Sequence, residues 1–284
     1  MCRHLAYLGP PLALGELLTA PAHALLRQSW APRRQRYGTV NADGFGVGWY
    51  ADGDPLPARY RRAVPIWGDL SFADLARVVR SGALLAAVRD ATEPGADGEA
   101  AAAPFAAGPW LFSHNGSVPG WPGSLTPAAA TLPPAELLAL EARCDSALLW
   151  ALVAYRLKAG DEPGQALADT VREVAEAAPG ARLNFLLTDG ATIAATAWGD
   201  SLWYLSDAVP ETVPEHRPAT AVTAVTASDT ALSASGSAVP YGRGVVVASE
   251  PYDDDPRWRE VPDRTLLVAG RADVLLSPLK EPPL

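Results

Sequence analysis

Cysteine is almost absent from this chain: 284 residues contain two, Cys2 and Cys144. Two thiols make no disulfide framework, and a reduced, cytoplasmic setting is expected. Histidine is nearly as sparse. His4, His23, His114 and His216 are scattered, and no Cys-x-x-Cys or His-x-x-x-His spacing occurs, so no metal and no other cofactor is expected. Basic residues are outnumbered, 23 against 32 acidic, leaving a net charge of −9 with no basic cluster beyond pieces such as Arg33-Arg34-Gln35-Arg36. Nucleic acid and anionic membrane are therefore not expected partners. No apolar run reaches the roughly 20 residues of a spanning helix. The N-terminal stretch up to Ala22-His23-Ala24 loosely imitates a signal peptide, but Pro10-Pro11 and Glu16 interrupt it, and cleavage there would remove Cys2.

What is present begins with Met1-Cys2-Arg3-His4. Removal of the initiator Met would leave Cys2 with a thiol and a free α-amine a few bonds apart. An α-amine titrates at roughly 7.7–8.0 and a thiol at about 8.5, so proton exchange between them is nearly balanced at neutrality. A nucleophile and its base would then share one residue. Taken alone, a Cys near an N-terminus is equally a small apolar residue.

Residues 3–9 alternate as a short strand stopped by Pro10-Pro11, and 16–20 read as a helical turn. Gly44, Gly46 and Gly48 alternate within residues 39–50, which suggests a turn feeding a strand whose backbone lies close to a neighbour. No Gly-Lys-Ser/Thr ending follows, so phosphate cradling is excluded. A helix is expected over 71–81, then strands over 84–88 and 110–114, the second ending in Asn115-Gly116. Residues 93–108 and 118–134 read as loops rich in Ala and Pro. Helices follow over 134–143, 145–160 and 163–178, and then strands over 183–188, 192–198, 201–205, 244–249 and 265–269. Residues 206–243 read as a long insertion. The whole, 2–284, is expected to be one α+β domain of antiparallel sheets covered by helices, with flexible insertions near 93–108 and 206–243.

Three internal stretches carry candidate chemistry. Arg89, at a strand end in Ala87-Val88-Arg89-Asp90-Ala91-Thr92, offers a planar fork for a carboxylate, or an ordinary surface ion pair. Asn115-Gly116 offers an amide and a backbone N–H suited to an oxyanion, or a tight turn. Asp145, in Cys144-Asp145-Ser146, accepts an ammonium or caps the helix that starts there. Together they supply a carboxylate clamp, an ammonium acceptor and an oxyanion hole around a thiol.

In order and spacing these residues resemble the class II glutamine amidotransferases, N-terminal-nucleophile hydrolases with a four-layer αββα sandwich. The resemblance implies Cys2 as nucleophile, Asn115 and Gly116 as the oxyanion hole, and Arg89, Thr92 and Asp145 as ligands of the glutamyl group. Ala87-Val88-Arg89-Asp90-Ala91-Thr92 departs from the family's His-Thr-Arg-Trp-Ala-Thr by losing the leading His.

A closer resemblance lies in Met1-Cys2-Arg3-His4-Leu5, Ala31-Pro32-Arg33-Arg34-Gln35, Asn41-Ala42-Asp43-Gly44, Leu183-Asn184-Phe185 and Ala248-Ser249-Glu250-Pro251-Tyr252-Asp253-Asp254-Asp255. These are similar to the amidohydrolases of ergothioneine biosynthesis. That implies a small-molecule substrate, γ-glutamyl-hercynylcysteine sulfoxide, and hydrolysis of its γ-glutamyl amide. No synthase domain is apparent to receive ammonia. Two alternatives stand beside this: a stand-alone glutaminase or amidotransferase, and a non-catalytic binding module on the same fold.

Overall fold

Residues 2–38, 40–91, 98–206, 211–212 and 244–279 are described by the computed structural model, 211–212 as backbone only. The first third of the chain gives β1 (Arg3–Ala13), α1 (Leu14–Leu18), α2 (Leu25–Gln28), β2 (Phe45–Trp49), β3 (Ala58–Arg62), α3 (Phe72–Val78) and β4 (Arg80–Val88). Next come β5 (Phe105–Ala107), β6 (Trp110–Ser117), α4 (Thr126–Ala129), α5 (Pro134–Leu138), α6 (Asp145–Ala159) and α7 (Pro163–Ala177). The remainder is strand: β7 (Arg182–Thr188), β8 (Ile193–Ala197), β9 (Trp203–Ser206), β10 (Glu211–Thr212), β11 (Val245–Ala248), β12 (Arg259–Glu260), β13 (Thr265–Ala269) and β14 (Val274–Pro278).

The strands form two seven-stranded sheets, ordered β12-β9-β11-β1-β4-β2-β3 and β10-β14-β13-β8-β7-β6-β5. Pairing is antiparallel except between β10 and β14. Alternation along the strands explains the layering. In β1, Leu5 and Tyr7 face a core shared with Leu14, Leu17, Leu25 and Phe72 of α1–α3. The intervening Ala6 and Leu8 face the second sheet, meeting Leu111, Leu186 and Ala195. In β7 the pattern repeats, with Leu183, Phe185 and Leu187 against α6 and α7. Both sheets are thus buried on both faces, which is why seven consecutive residues of β1, Arg3 to Gly9, are buried. Helices, sheet, sheet, helices: this is the expected αββα sandwich.

Local chemistry sets the ends of the helices. α6 begins after an extended Cys144 and stops at Gly160, whose φ of 99° is left-handed. α7 opens on Pro163, whose missing N–H would find no partner in a first turn.

Several boundaries differ from expectation. β1 does not stop at Pro10-Pro11. Both prolines are exposed and lie where the register with β4 shifts between Leu8 and Leu12, so no ladder bond is asked of them. β4 starts at Arg80, and α3 ends at Val78. Within 93–108, Gly98–Ala101 form a 3₁₀ turn and β5 pairs with β6, so the second half of that stretch is an edge strand. α4 lies inside the expected loop 118–134, and the helix expected over 134–143 is only Pro134–Leu138. β9 does not continue the β7–β8 hairpin but crosses to the other sheet, beside β11. Of the insertion 206–243, Ser206 ends β9 and Glu211–Thr212 pair with β14, while 207–210 and 213–243 lie outside the described residues. The alternating glycines behave as expected: a Cβ on Gly46 or Gly48 would overlap the Ala103 carbonyl or the Leu111 side chain.

Candidate active site

β1 and β4 run antiparallel with Arg3 opposite Val88. Cys2, just before β1, therefore lies alongside Arg89, just after β4. The second sheet contributes the end of β6, and α6 contributes its first turn. Among these four chain ends lies a cleft of about 640 Å³ lined by Cys2, Arg89, Gly116, Trp121, Cys144 and Asp145.

Asn115 is fully buried on β6, opposite Asn184 of β7. Asn115-Gly116 is thus a strand segment and not a turn, because the ladder continues to Ser117 paired with Arg182. The Asn115 Oδ1 accepts the backbone N–H of Cys2 at 3.2 Å. Facing that donor fixes the orientation of the amide and turns Nδ2 the other way. Nδ2 is buried without a hydrogen-bond partner. A buried amide donor left unpaired costs about 1–3 kcal/mol, and this one belongs to a residue held between the cleft-lining Cys2 and Gly116.

Gly116 tolerates no side chain, since a Cβ would overlap the Arg182 carbonyl oxygen and the His114 ring. His114 is buried, with Nε2 2.9 Å from the Arg182 carbonyl oxygen and Nδ1 2.9 Å from the Ser146 hydroxyl. A carbonyl only accepts, so Nε2 carries the hydrogen and Nδ1 accepts from Ser146. Burial pushes the His114 pKa down and favours this neutral form. One imidazole thereby ties β6 to β7 and to the first turn of α6.

Asp145 accepts from the Val118 N–H at 3.2 Å and the Ser146 N–H at 2.7 Å, and also lines the cleft. The half-buried Arg89 donates from Nη1 to the Asp43 carbonyl at 3.1 Å. Among the described residues no salt bridge to Arg89 is formed, and its recorded side-chain hydrogen bond is the one to Asp43. Thr92 lies outside the described residues. Cys2 and Cys144 are both free thiols. Burial pushes the Cys144 thiol up to about 11, which makes it a poor nucleophile at neutral pH.

Five of the six expected site residues are therefore brought together. Sequence reasoning missed Arg3, His114, Cys144 and Ser146, although each sits inside a stretch singled out for another residue. Trp121 also lines the cleft. Among the described residues no cluster of His, Cys, Asp or Glu is arranged to hold a metal, and no helix is long and apolar enough to cross a membrane.

The chain is similar to several known proteins. The family model for class-II glutamine amidotransferases matches residues 17–281. The γ-glutamyl-hercynylcysteine sulfoxide hydrolase of Mycolicibacterium smegmatis is 41% identical over 279 residues, covering 98% of this chain and 100% of that protein. The protein of the same name from Mycobacterium tuberculosis is 40% identical over 280 residues, covering 98% and 97%. The solved glutamine aminotransferase class-II domain protein of Silicibacter pomeroyi shares the fold, with a TM-score of 0.64, 23% identity, and coverage of 98% of this chain and 100% of its own. With the family match running through most of the sandwich and these relatives aligned end to end, the chain belongs to the class-II glutamine amidotransferases.

Proposed function

We propose that this protein is a γ-glutamyl amidohydrolase that converts γ-glutamyl-hercynylcysteine sulfoxide to glutamate and hercynylcysteine sulfoxide. The observation that carries the reading is the Asn115 amide, with Oδ1 on the nitrogen of Cys2 and Nδ2 buried and unpartnered next to the cleft-lining Gly116. The end-to-end relatives named for this hydrolysis supply the substrate.

Removal of Met1 turns the Cys2 nitrogen from a peptide amide into an α-amine. The neutral amine donates one hydrogen to Asn115 Oδ1 and keeps a lone pair for the thiol proton. The thiol sulfur attacks the γ-carbonyl carbon as that proton passes to the amine. Asn115 Nδ2 and the Gly116 N–H hold the oxyanion that forms. Collapse breaks the C–N bond, the ammonium returns its proton to the leaving amine, and a γ-glutamyl thioester remains on Cys2. Water attacks the thioester, the α-amine takes its proton, and glutamate departs with the thiol restored.

Arg89 binds the glutamyl α-carboxylate and Asp145 its α-ammonium, which holds the scissile carbon near the sulfur; Thr92 assists at the carboxylate. The leaving side carries a trimethylammonium group, and Trp121 offers an aromatic face on the cleft wall. The test is glutamate release from γ-glutamyl-hercynylcysteine sulfoxide and from free glutamine in parallel. Release favouring the sulfoxide conjugate supports the assignment. Release from glutamine alone would reassign the substrate and keep the chemistry.

A further inference from the structure

Two stretches that the chemistry above leaves unused, residues 31–35 and 248–255, meet behind Cys2. Their meeting point is a buried charge. Arg3 follows Cys2 directly and is 0% exposed in a strand whose next five residues are all buried and include four apolar ones. Its Nε donates to the Cys2 carbonyl oxygen at 2.9 Å. Its Nη1 lies 3.8 Å from Glu250 Oε2, and neither Nη has a hydrogen-bond partner. Glu250 is equally buried, and its two carboxylate oxygens accept the Arg33 and Arg34 backbone N–H groups at 2.9 and 2.7 Å. Asp200 adds a second negative charge nearby, itself 3.2 Å from Arg182 Nε.

Buried ions are expensive, and a well-packed apolar residue would serve the strand at least as well. A charge retained here calls for a use, and the geometry supplies one. With Asn115 on the Cys2 nitrogen and Arg3 on the Cys2 carbonyl, the backbone of the nucleophile is held at both ends. We infer that Arg3 is the positioning residue of the Cys2 nucleophile, with Glu250 and the 31–35 segment locking it from behind. The inference rests on Cys2 acting as proposed above.

The test compares Arg3→Lys, Arg3→Met and Glu250→Gln with wild type, Met1 removal being verified by intact mass. Arg3→Lys keeps a charge and loses the Nε donor. It is expected to lower kcat at least tenfold with KM within twofold, while iodoacetamide alkylates Cys2 at close to the wild-type rate. Arg3→Met also loses the Nε donor and is expected to lower kcat similarly, again with KM within twofold. Glu250→Gln should lower kcat about threefold or more. Cys144 stays silent in this assay because its thiol is protonated. If Arg3→Met does not fold, the other two variants decide. Folded Arg3 variants with kcat within twofold of wild type would overturn the inference. A wild type that releases no glutamate from the sulfoxide conjugate but turns over free glutamine would overturn the substrate assignment instead, and the same kcat comparison on glutamine would still report on Arg3.

Discussion

Replacing Asn115 by Leu separates catalysis from stability in a way the structure makes quantitative. The side chain is fully buried, makes one hydrogen bond to Cys2, and leaves Nδ2 unpaired. Leu keeps the same number of side-chain heavy atoms and the same branching at Cγ. Loss of the hydrogen bond removes about 0.5–1.5 kcal/mol, while loss of an unpaired buried donor returns about 1–3 kcal/mol. The two nearly offset, so the thermal midpoint is expected to stay within roughly 4 °C of wild type. Catalysis has no such compensation. Removing one preorganised oxyanion donor lowers kcat on the order of 10²–10³-fold, about 2.7–4 kcal/mol of barrier. Loss of the hold on the Cys2 nitrogen adds to this, so the figure is a lower bound. The assay is steady-state glutamate release alongside a thermal melt. A folded Asn115→Leu enzyme with kcat within tenfold of wild type would refute the oxyanion role.

Arg89→Lys and Asp145→Asn should each raise KM with a smaller change in kcat. Charge-assisted hydrogen bonds contribute about 1.5–3 kcal/mol, equivalent to roughly 10–100-fold in kcat/KM; unchanged KM in both would remove these residues from glutamyl binding. Cys144→Ala should keep kcat within about threefold, since burial holds that thiol protonated at neutral pH; abolished turnover in a folded variant would put Cys144 in the chemistry. Stability should fall as the solution is acidified from pH 7 toward pH 5. Burial holds His4 and His114 below their usual range, so the unfolded chain takes up those protons first. This contribution is complete above about pH 6.5 and is lost below it at up to about 1.4 kcal/mol per pH unit for each histidine. Denaturant unfolding that is flat from pH 7 to 5 would contradict the two buried neutral imidazoles.

The parts of the fold legible in the sequence are those with local causes. α6 and α7 announce themselves through apolar spacing, an initial Pro163 and a terminal Gly160. What was illegible depends on partners. Asn115-Gly116 is a favoured turn pair, and it is strand here only because Asn184, Leu183 and Arg182 extend the ladder past it. Period-two alternation marks residues 201–205 as strand but is silent on which sheet receives it, and β9 joins the other one. Pro10-Pro11 reads as a stop unless the register shift that accommodates it is known.

The site divides the same way. Cys2, Arg89, Gly116 and Asp145 were readable because few residue types perform their chemistry, and all four line one cleft. The supporting shell was harder. His114 acts through ring hydrogen bonds to a backbone carbonyl on β7 and to the Ser146 hydroxyl of α6, which no spacing encodes. Arg3 and Glu250 are 247 positions apart in sequence, and their contact exists only after the sheet has formed. A local sign of Arg3 was available: an arginine immediately after the thiol, opening an otherwise mainly apolar strand.

The most direct test of the account is a rapid-quench mass measurement on wild-type enzyme mixed with γ-glutamyl-hercynylcysteine sulfoxide. The account predicts an N-terminal peptide that begins at Cys2, lacks Met1 and transiently carries one glutamyl group on the Cys2 sulfur, absent in Cys2→Ala. Turnover by a protein that retains Met1, or by Cys2→Ala, would contradict it.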